Sequence, residues 1–453
     1  MFDPDESWRL ESVVDEEYMS GLGRPLLGSR YKSGDTAVRE GLIGFAVDKL
    51  INRNMSDLLT HNDPNRKLDK ELTDAQKFAC LSQRLALDFM STRYIMKEEQ
   101  EQVASHLRIC LNIDNNFKSM KTASASEPMF AEAAYKVMQH FNPVAALLRS
   151  LQGLRIHQGY RGELIVLLLL TMARDLAVGP SRLDGRPASG KSGRIFSMTE
   201  FIQQLFPRSA NTILDARPSR DDGMTHTLRK HIEGSVVHFN HFMQVHQGRM
   251  IRRRFIIRSM ARGAAILPGS SEPGVDCLFG FCAFGSSMHI GNVGIFMCQD
   301  TLGPRYADEP DWSLHDAMDP TKLEMFEEED DGIHRGADGS VLAPVPVIRV
   351  VFALNADESV VVVRPNTGED PNPLFRTYDI WCAGISKEEL GPVNSDNFDS
   401  WMALRNRADA WRSTYEEPGV PEEQLELRCM LTPGAAAEEA FFANWAKDHM
   451  GIV

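Results

Sequence analysis

Apolar residues recur at intervals of three and four from Ser33 to about His157, the spacing that gathers them on one helical face. The strings GLIGFAVDKLINRN and AQKFACLSQRLALDFM show this most clearly, and Thr73 followed by Gln76 supplies a capping box at the head of the second. A charged helix, KEEQEQVASHLRICL, comes next. The following segment, SEPMFAEAAYKVMQHF, carries Pro128 near its first turn, where a missing N–H costs nothing. No strand-like alternation interrupts this stretch, so residues 33–157 are expected to be wholly helical. Scaffolding, or a surface for a protein partner, is the role that fits.

The pattern then changes. A long helix over Gly162–Ala177 carries Glu163 near its start, and a short helix is expected around Thr199–Leu205. The runs VVHFNHFMQV, GVDCLFGFCAF and NVGIFMC are β-rich and separated by Gly and Pro, which reads as strands and turns. The Val-dense runs VPVIRVVFAL and SVVVVRP look like a hairpin or two adjacent strands near a sheet centre, and YDIWCAGI reads as a further strand. The expected fold is α/β (α+β). One mixed sheet is built from 236–245, 275–284, 293–299, 346–354 and 359–363, with the Glu163 helix on one face. Around it, residues 1–32 form an acidic and irregular segment, 158–392 the α/β core with an acidic insertion at 308–331, and 393–453 a helical tail.

Composition narrows the function. With 453 residues, 43% hydrophobic and 25% charged, the chain is an ordinary folded protein of two or three domains, or one large domain with additions. The net charge of -14 excludes non-specific coating of nucleic acid, so any such binding needs a local patch. A patch exists: fifteen Lys/Arg stand against six Asp/Glu between Arg182 and Arg262, and twelve acids against two bases between Asp300 and Asp331. The two surfaces are expected to face each other, and a basic groove screened by an acidic flap is the sharper alternative. Seven scattered cysteines without a C-x-x-C pair argue against structural zinc and for a reducing compartment. The start MFDPDESWRL lacks signal-peptide order, and the longest apolar run, LIVLLLLTMA, is about half a membrane span. An intracellular protein, cytoplasmic or nuclear and not membrane-bound, is the expectation.

Several motifs carry candidate chemistry. Gly185 to Ser192 (GRPASGKS) matches G-x-x-x-x-G-K-[ST] in every fixed position, but no strand leads into it and Gly193-Arg194 follows, so a flexible basic loop is expected rather than a nucleotide site. Arg249, Arg252, Arg253, Arg254, Arg258 and Arg262 fall in RMIRRRFIIRSMARG with no acid among them. Phe255, Ile256, Ile257 and Met260 give that helix an apolar face, so the arginines are expected opposite it, against phosphates or against the acidic segment. The histidines at 226, 231, 238, 241 and 246 lack the geometry of a metal site or general base, since a β-run would turn His238 and His241 to opposite faces.

The acids point further. Glu163 on a helix, Asp276 in GVDCLF and the polar strand end Cys298-Gln299-Asp300 have the order of a PD-(D/E)XK nuclease site. In such a site carboxylates hold Mg2+ and a lysine orients the attacking water. STRYIMKEEQEQVASHLRICLNID, SEPMFAEAAYKVM, QGYRGELIVLLLLTMARD, ARGAAILPGSSEPGVDCLFGF, VIRVVFALNADESVVVV and YDIWCAGIS occur in order over residues 75–390. Through them the chain resembles an uncharacterised family multiplied in mushroom-forming fungi, whose centre is similar to the restriction-endonuclease-like fold. The resemblance implies R-G-E on the helix, P-G-V-D on the second core strand and Q-V-K closing the third. Arg161-Gly162-Glu163 and Pro273-Gly274-Val275-Asp276 fit, but Cys298 stands where Gln is expected and Asp300 where Lys is expected. Losing that lysine removes a contribution of about a hundred- to ten-thousand-fold in rate.

An inactive nuclease-like module that binds nucleic acid or protein is therefore the favoured reading, with Glu163, Asp276 and Asp300 as a vestigial site and Glu163 and Asp276 as the metal ligands if a divalent site survives. The alternatives are an Mg-dependent nuclease in which Lys191, Arg262 or Arg305 has taken over the lost role, and an assembly protein acting through its helical third.

Overall fold

The computed structural model describes residues 2–3, 8–55, 67–89, 96–115, 119–152, 161–179, 194–220, 226–245, 248–269, 274–301, 309–326, 343–368 and 372–406. Helices α1 (Leu42–Ile51), α2 (Asp74–Leu85), α3 (Met96–Ser105), α4 (Pro128–Met138) and α5 (Pro143–Gln152) form at the expected periodic segments. Thr73 and Gln76 close both halves of the capping box on α2, and Pro128 opens α4. The apolar sides of α1 and α2 pack against α4, and α5 packs on α2.

Two expectations fail in this third. The charged helix stops at Ser105, because Leu107 adopts φ 64° and turns the chain out. A hairpin, β1 (Ile109–Ile113) and β2 (Met120–Ala123), replaces the continuing helix. Arg108 explains the switch: it is buried, and its guanidinium donates to Thr122 Oγ1 (2.7 Å), Ser82 Oγ (2.6 Å) and the Thr122 carbonyl (3.1 Å). The segment 1–32 also departs from the expected irregularity. Its described part holds the short helices Leu10–Val13 and Glu16–Ser20 and enters the helix Pro25–Ser33, and Leu10, Val13 and Met19 are buried in the common core.

The core begins with α6 (Arg161–Val178) and α7 (Met198–Leu205), the latter closed by a capping box of Ser197 and Glu200. The sheet follows: β3 (His241–Val245), then α9 after the short helix α8 (Ala210–Leu214) that precedes it, with α9 spanning Arg253–Ala261. Next come β4 (Ala264–Pro268), β5 (Cys277–Cys282), β6 (Val293–Asp300), α10 (Trp312–Ala317), β7 (Val345–Ala353), β8 (Val360–Val363) and β9 (Phe375–Ala383). The seven strands form one mixed sheet in the order β8-β9-β7-β6-β5-β4-β3. All five runs expected in the sheet contribute to it. The Val-rich pair is neither a hairpin nor adjacent, however: β9 inserts between β7 and β8 and pairs with β7 in parallel over its whole length. A fully buried β7 needs a buried strand on each side, whereas β8 is half-exposed and suits an edge.

Strands β3, β4, β6, β7 and β9 run one way, while β5 and β8 run against them. On one face Phe279 and Phe296 stack at 4.8 Å, and Phe201 of α7 meets each edge-on at 5.4 Å. Helix α6 packs along α7 and against β6. The other face receives α9 and α10. Gly280 lets α9 approach it, since a Cβ there would stand 2.5 Å from Ile256 Cγ2 and 2.7 Å from Met260 Sδ. Arg349 on that face donates to Asp379 and to the His315 carbonyl of α10. The helical third docks where α2 touches the edge strand β3. Of the expected helical region 393–453, residues 393–397 form an irregular stretch and a turn, 398–406 are helical, and 407–453 lie outside the described residues. Among the described residues no helix is long and apolar enough to cross a membrane.

Candidate functional site

Asp276 immediately precedes β5 and Asp300 ends β6, so antiparallel pairing of Cys277 with Cys298 puts both at one end of the sheet. That end is where the five co-directional strands finish, the usual position of a site in an open α/β sheet. The Asp276 amide donates to the Cys298 carbonyl at 2.9 Å, and Asp276 Oδ2 accepts from the Asp300 amide at 2.5 Å. Glu163, in the first turn of α6, comes close enough for Asp276 to act on its titration.

The electrostatics follow from burial. Desolvation, then the negative charge of Asp276, push the Glu163 carboxyl up to about 8. Burial lifts Asp276 to about 6 against the opposing hydrogen bond from the Asp300 amide. Among the described residues no cation acts on either carboxyl. At neutral pH Glu163 therefore keeps its proton, helped by the negative charge of Asp276 beside it. Among the described residues no group of three or more His, Cys, Asp or Glu is arranged to hold a metal ion. Glu163 and Asp276 thus meet as a pair, with Asp300 contributing its backbone amide. Lys191 and Arg305 lie outside the described residues, as does the segment Gly185–Ser192. Arg262 is directed elsewhere, donating to the Ser126 carbonyl and hydroxyl at 3.0–3.1 Å.

The arginine-rich segment divides. Arg249, Arg252, Arg254 and Arg258 are exposed. Arg253 is buried, its guanidinium 4.9 Å from the Phe326 ring centroid. The expectation of arginines opposite the apolar face is corrected there. Arg253 stands three, four and seven residues before Ile256, Ile257 and Met260, so it shares their face. Because α9 follows β3, its start lies at the sheet end that carries Asp276, on the face opposite α6. Contact with the acidic segment is made by Arg252 and Glu324, an exposed pair at 3.8 Å, and by the Arg253 amide on the Met325 carbonyl at 3.0 Å. Arg194 and Arg208 turn instead to Glu16 and Glu389.

A second constellation escaped the sequence reading. Where the helical third meets β3, the buried Arg84 grips Asp175 with both terminal nitrogens at 2.6 and 2.8 Å and donates to the Asn240 carbonyl at 3.0 Å. Arg174, equally buried, donates to Glu132 at 2.8 Å and to the Phe239 carbonyl at 2.9 Å. Although burial opposes ionisation, Arg174 and Arg194 pull Glu132 down to about 2. Asn240 Nδ2 also donates to Glu132, which leaves its Oδ1 to accept from His241 Nδ1 at 2.6 Å. His241 Nε2 then accepts from the Ser126 hydroxyl at 2.7 Å. This resembles a nucleophile–base–orienter series, but burial and the nearby Arg262 hold His241 at about 3, too weak a base to take the serine proton. It is a clasp. Its signal in the sequence is a charged residue inside an apolar helical run, as at Arg174 in LLLLTMARDLAV.

Comparison with family models, with curated proteins and with solved structures gives no match. The functional reading rests on the residues themselves.

Proposed function

We propose that this chain is a nuclease-like α/β domain that has lost its cleavage step and acts as a nucleic-acid-binding module. The observation that carries the reading is the Glu163–Asp276 pair at the strand ends, with an aspartate at position 300 and, among the described residues, no cation moderating either acid. Their order (helix, strand start, neighbouring strand end) agrees with the PD-(D/E)XK arrangement, and the mixed sheet is compatible with that fold. Two oxygen-donor acids suit Mg2+, which takes one or two carboxylates and completes its shell with water and substrate phosphate. Glu163 and Asp276 would hold it, and when bound it would supply charge to a phosphate oxygen and acidify a water. Asp300 brings a negative group where a positive one would orient that water, so these residues do not complete a hydrolytic site.

Binding falls to the exposed arginines Arg249, Arg252, Arg254 and Arg258. Four phosphate contacts on duplex DNA give log K against log salt a slope of about -3.6. The test is a nuclease assay with Mg2+ and Mn2+ on wild type, Asp276→Ala and Asp300→Lys, beside a salt titration of DNA binding. Inert wild type, activity gained by Asp300→Lys and a negative salt slope are expected. Wild-type cleavage abolished by Asp276→Ala would overturn the inactive reading. A flat salt dependence would remove nucleic acid and transfer binding to the helical third.

A further inference from the structure

Away from the carboxyl pair, a cavity of about 300 Å³ opens between the start of α2 and the first turns of α3. Its size is at the lower end of small-molecule sites. Phe78 and Phe89 line it, their ring centroids 4.7 Å apart, and among the described lining residues Asp74, Glu98 and Glu101 stand with one base, Lys97. Asp74 is partly engaged by Arg149 at the rim, at 3.2 Å. Glu98 Oε2 is buried and, among the described residues, accepts no hydrogen bond. A buried carboxylate oxygen without a donor is costly, and native structures normally satisfy it.

We propose that this cavity binds a small organic ammonium ion with an apolar or aromatic body. The hydrocarbon part lies against Phe78 and Phe89, and the ammonium donates to Glu98, with Glu101 adding attraction from the rim. An anion is the poorer fit although the cavity adjoins the start of α2. The capping box has already joined Thr73 and Gln76 there, and acids outnumber bases among the described lining residues.

The experiment is calorimetric titration of the full chain with phenethylammonium chloride, beside phenylacetate as a shape-matched anion. A ligand of about nine heavy atoms with one buried charge is expected to bind at about 0.1–1 mM. Glu98→Gln keeps the shape, removes the charge and should weaken binding about tenfold or more. Glu101→Gln, on the exposed rim, should weaken it about threefold and serves if the first variant does not fold. Tight binding of phenylacetate, no binding of the ammonium below about 10 mM, or unchanged affinity in the charge-removing variants would each sink the proposal.

Discussion

Glu163→Gln is the perturbation that interrogates the carboxyl pair most directly. A group raised from 4.5 to about 8 on folding binds its proton more tightly in the folded state. The sign is therefore fixed: its stabilising contribution is complete below pH 4.5 and is lost as pH rises through 8. Each pH unit in that window corresponds to about 1.4 kcal/mol, which sets an upper limit of about 5 kcal/mol. Glu163 is half-buried and shares its titration with Asp276, so about 2–3 kcal/mol is the expected size. Glutamine is permanently neutral and nearly the same shape, so the variant should match wild type at pH 5. At pH 8.5 it should exceed wild type by that amount. Urea unfolding of both proteins at half-unit intervals from pH 5 to 8.5 measures the difference. A gap that does not change with pH, or a variant less stable at pH 8.5, would refute the argument, because either result means Glu163 ionises without penalty.

Other outcomes follow from the same structure. Mg2+ at millimolar concentration should raise the melting temperature of wild type at pH 8 and leave Glu163→Gln/Asp276→Asn unmoved, since the ion replaces the Glu163 proton; equal shifts in both would mean that it binds elsewhere. Glu132→Ala strips a buried arginine of its main partner and should cost about 3–5 kcal/mol in urea unfolding at neutral pH, with a loss under 1 kcal/mol showing that Asp175 alone suffices. Gly280→Val should destabilise by about 1–3 kcal/mol through overpacking against Ile256 and Met260, read as a lower melting temperature. Arg254→Gln and Arg258→Gln should each flatten the salt slope of DNA binding by about 1 at every sequence tested; unchanged slopes would take those side chains off the phosphates.

The local pattern of residues was enough for the elements that position the site. The capping box at Thr73, the proline opening α4, the apolar helix behind Glu163 and the strands flanking Asp276 and Asp300 are all short-range consequences of spacing and side-chain shape. Partner choice among strands was a different matter. Local order suggested pairing β7 with β8, but β9, further along the chain, offers a buried parallel partner of equal length and leaves β8 at the edge. The hairpin after Ser105 was hidden for a related reason. Its strands acquire their reason to form when Arg108 is buried against Ser82 and Thr122, contacts 26 and 14 residues away.

The candidate site divides along the same line. That Glu163, Asp276 and Asp300 are acids, and that no lysine stands at 300, is written in the chain. That Glu163 holds its proton near neutrality is not, because the shift comes from water excluded by the packed helix and from an acid 113 residues away in sequence but beside it in space. Arg84 and Arg174 make the point in reverse. Each sits in an apolar helical run, and the fold can bury it because a carboxylate from another element, Asp175 for Arg84 and Glu132 for Arg174, arrives to neutralise it. Spacing along a chain sets which face a side chain occupies; the assembled tertiary structure sets the dielectric and the neighbours that give it a charge.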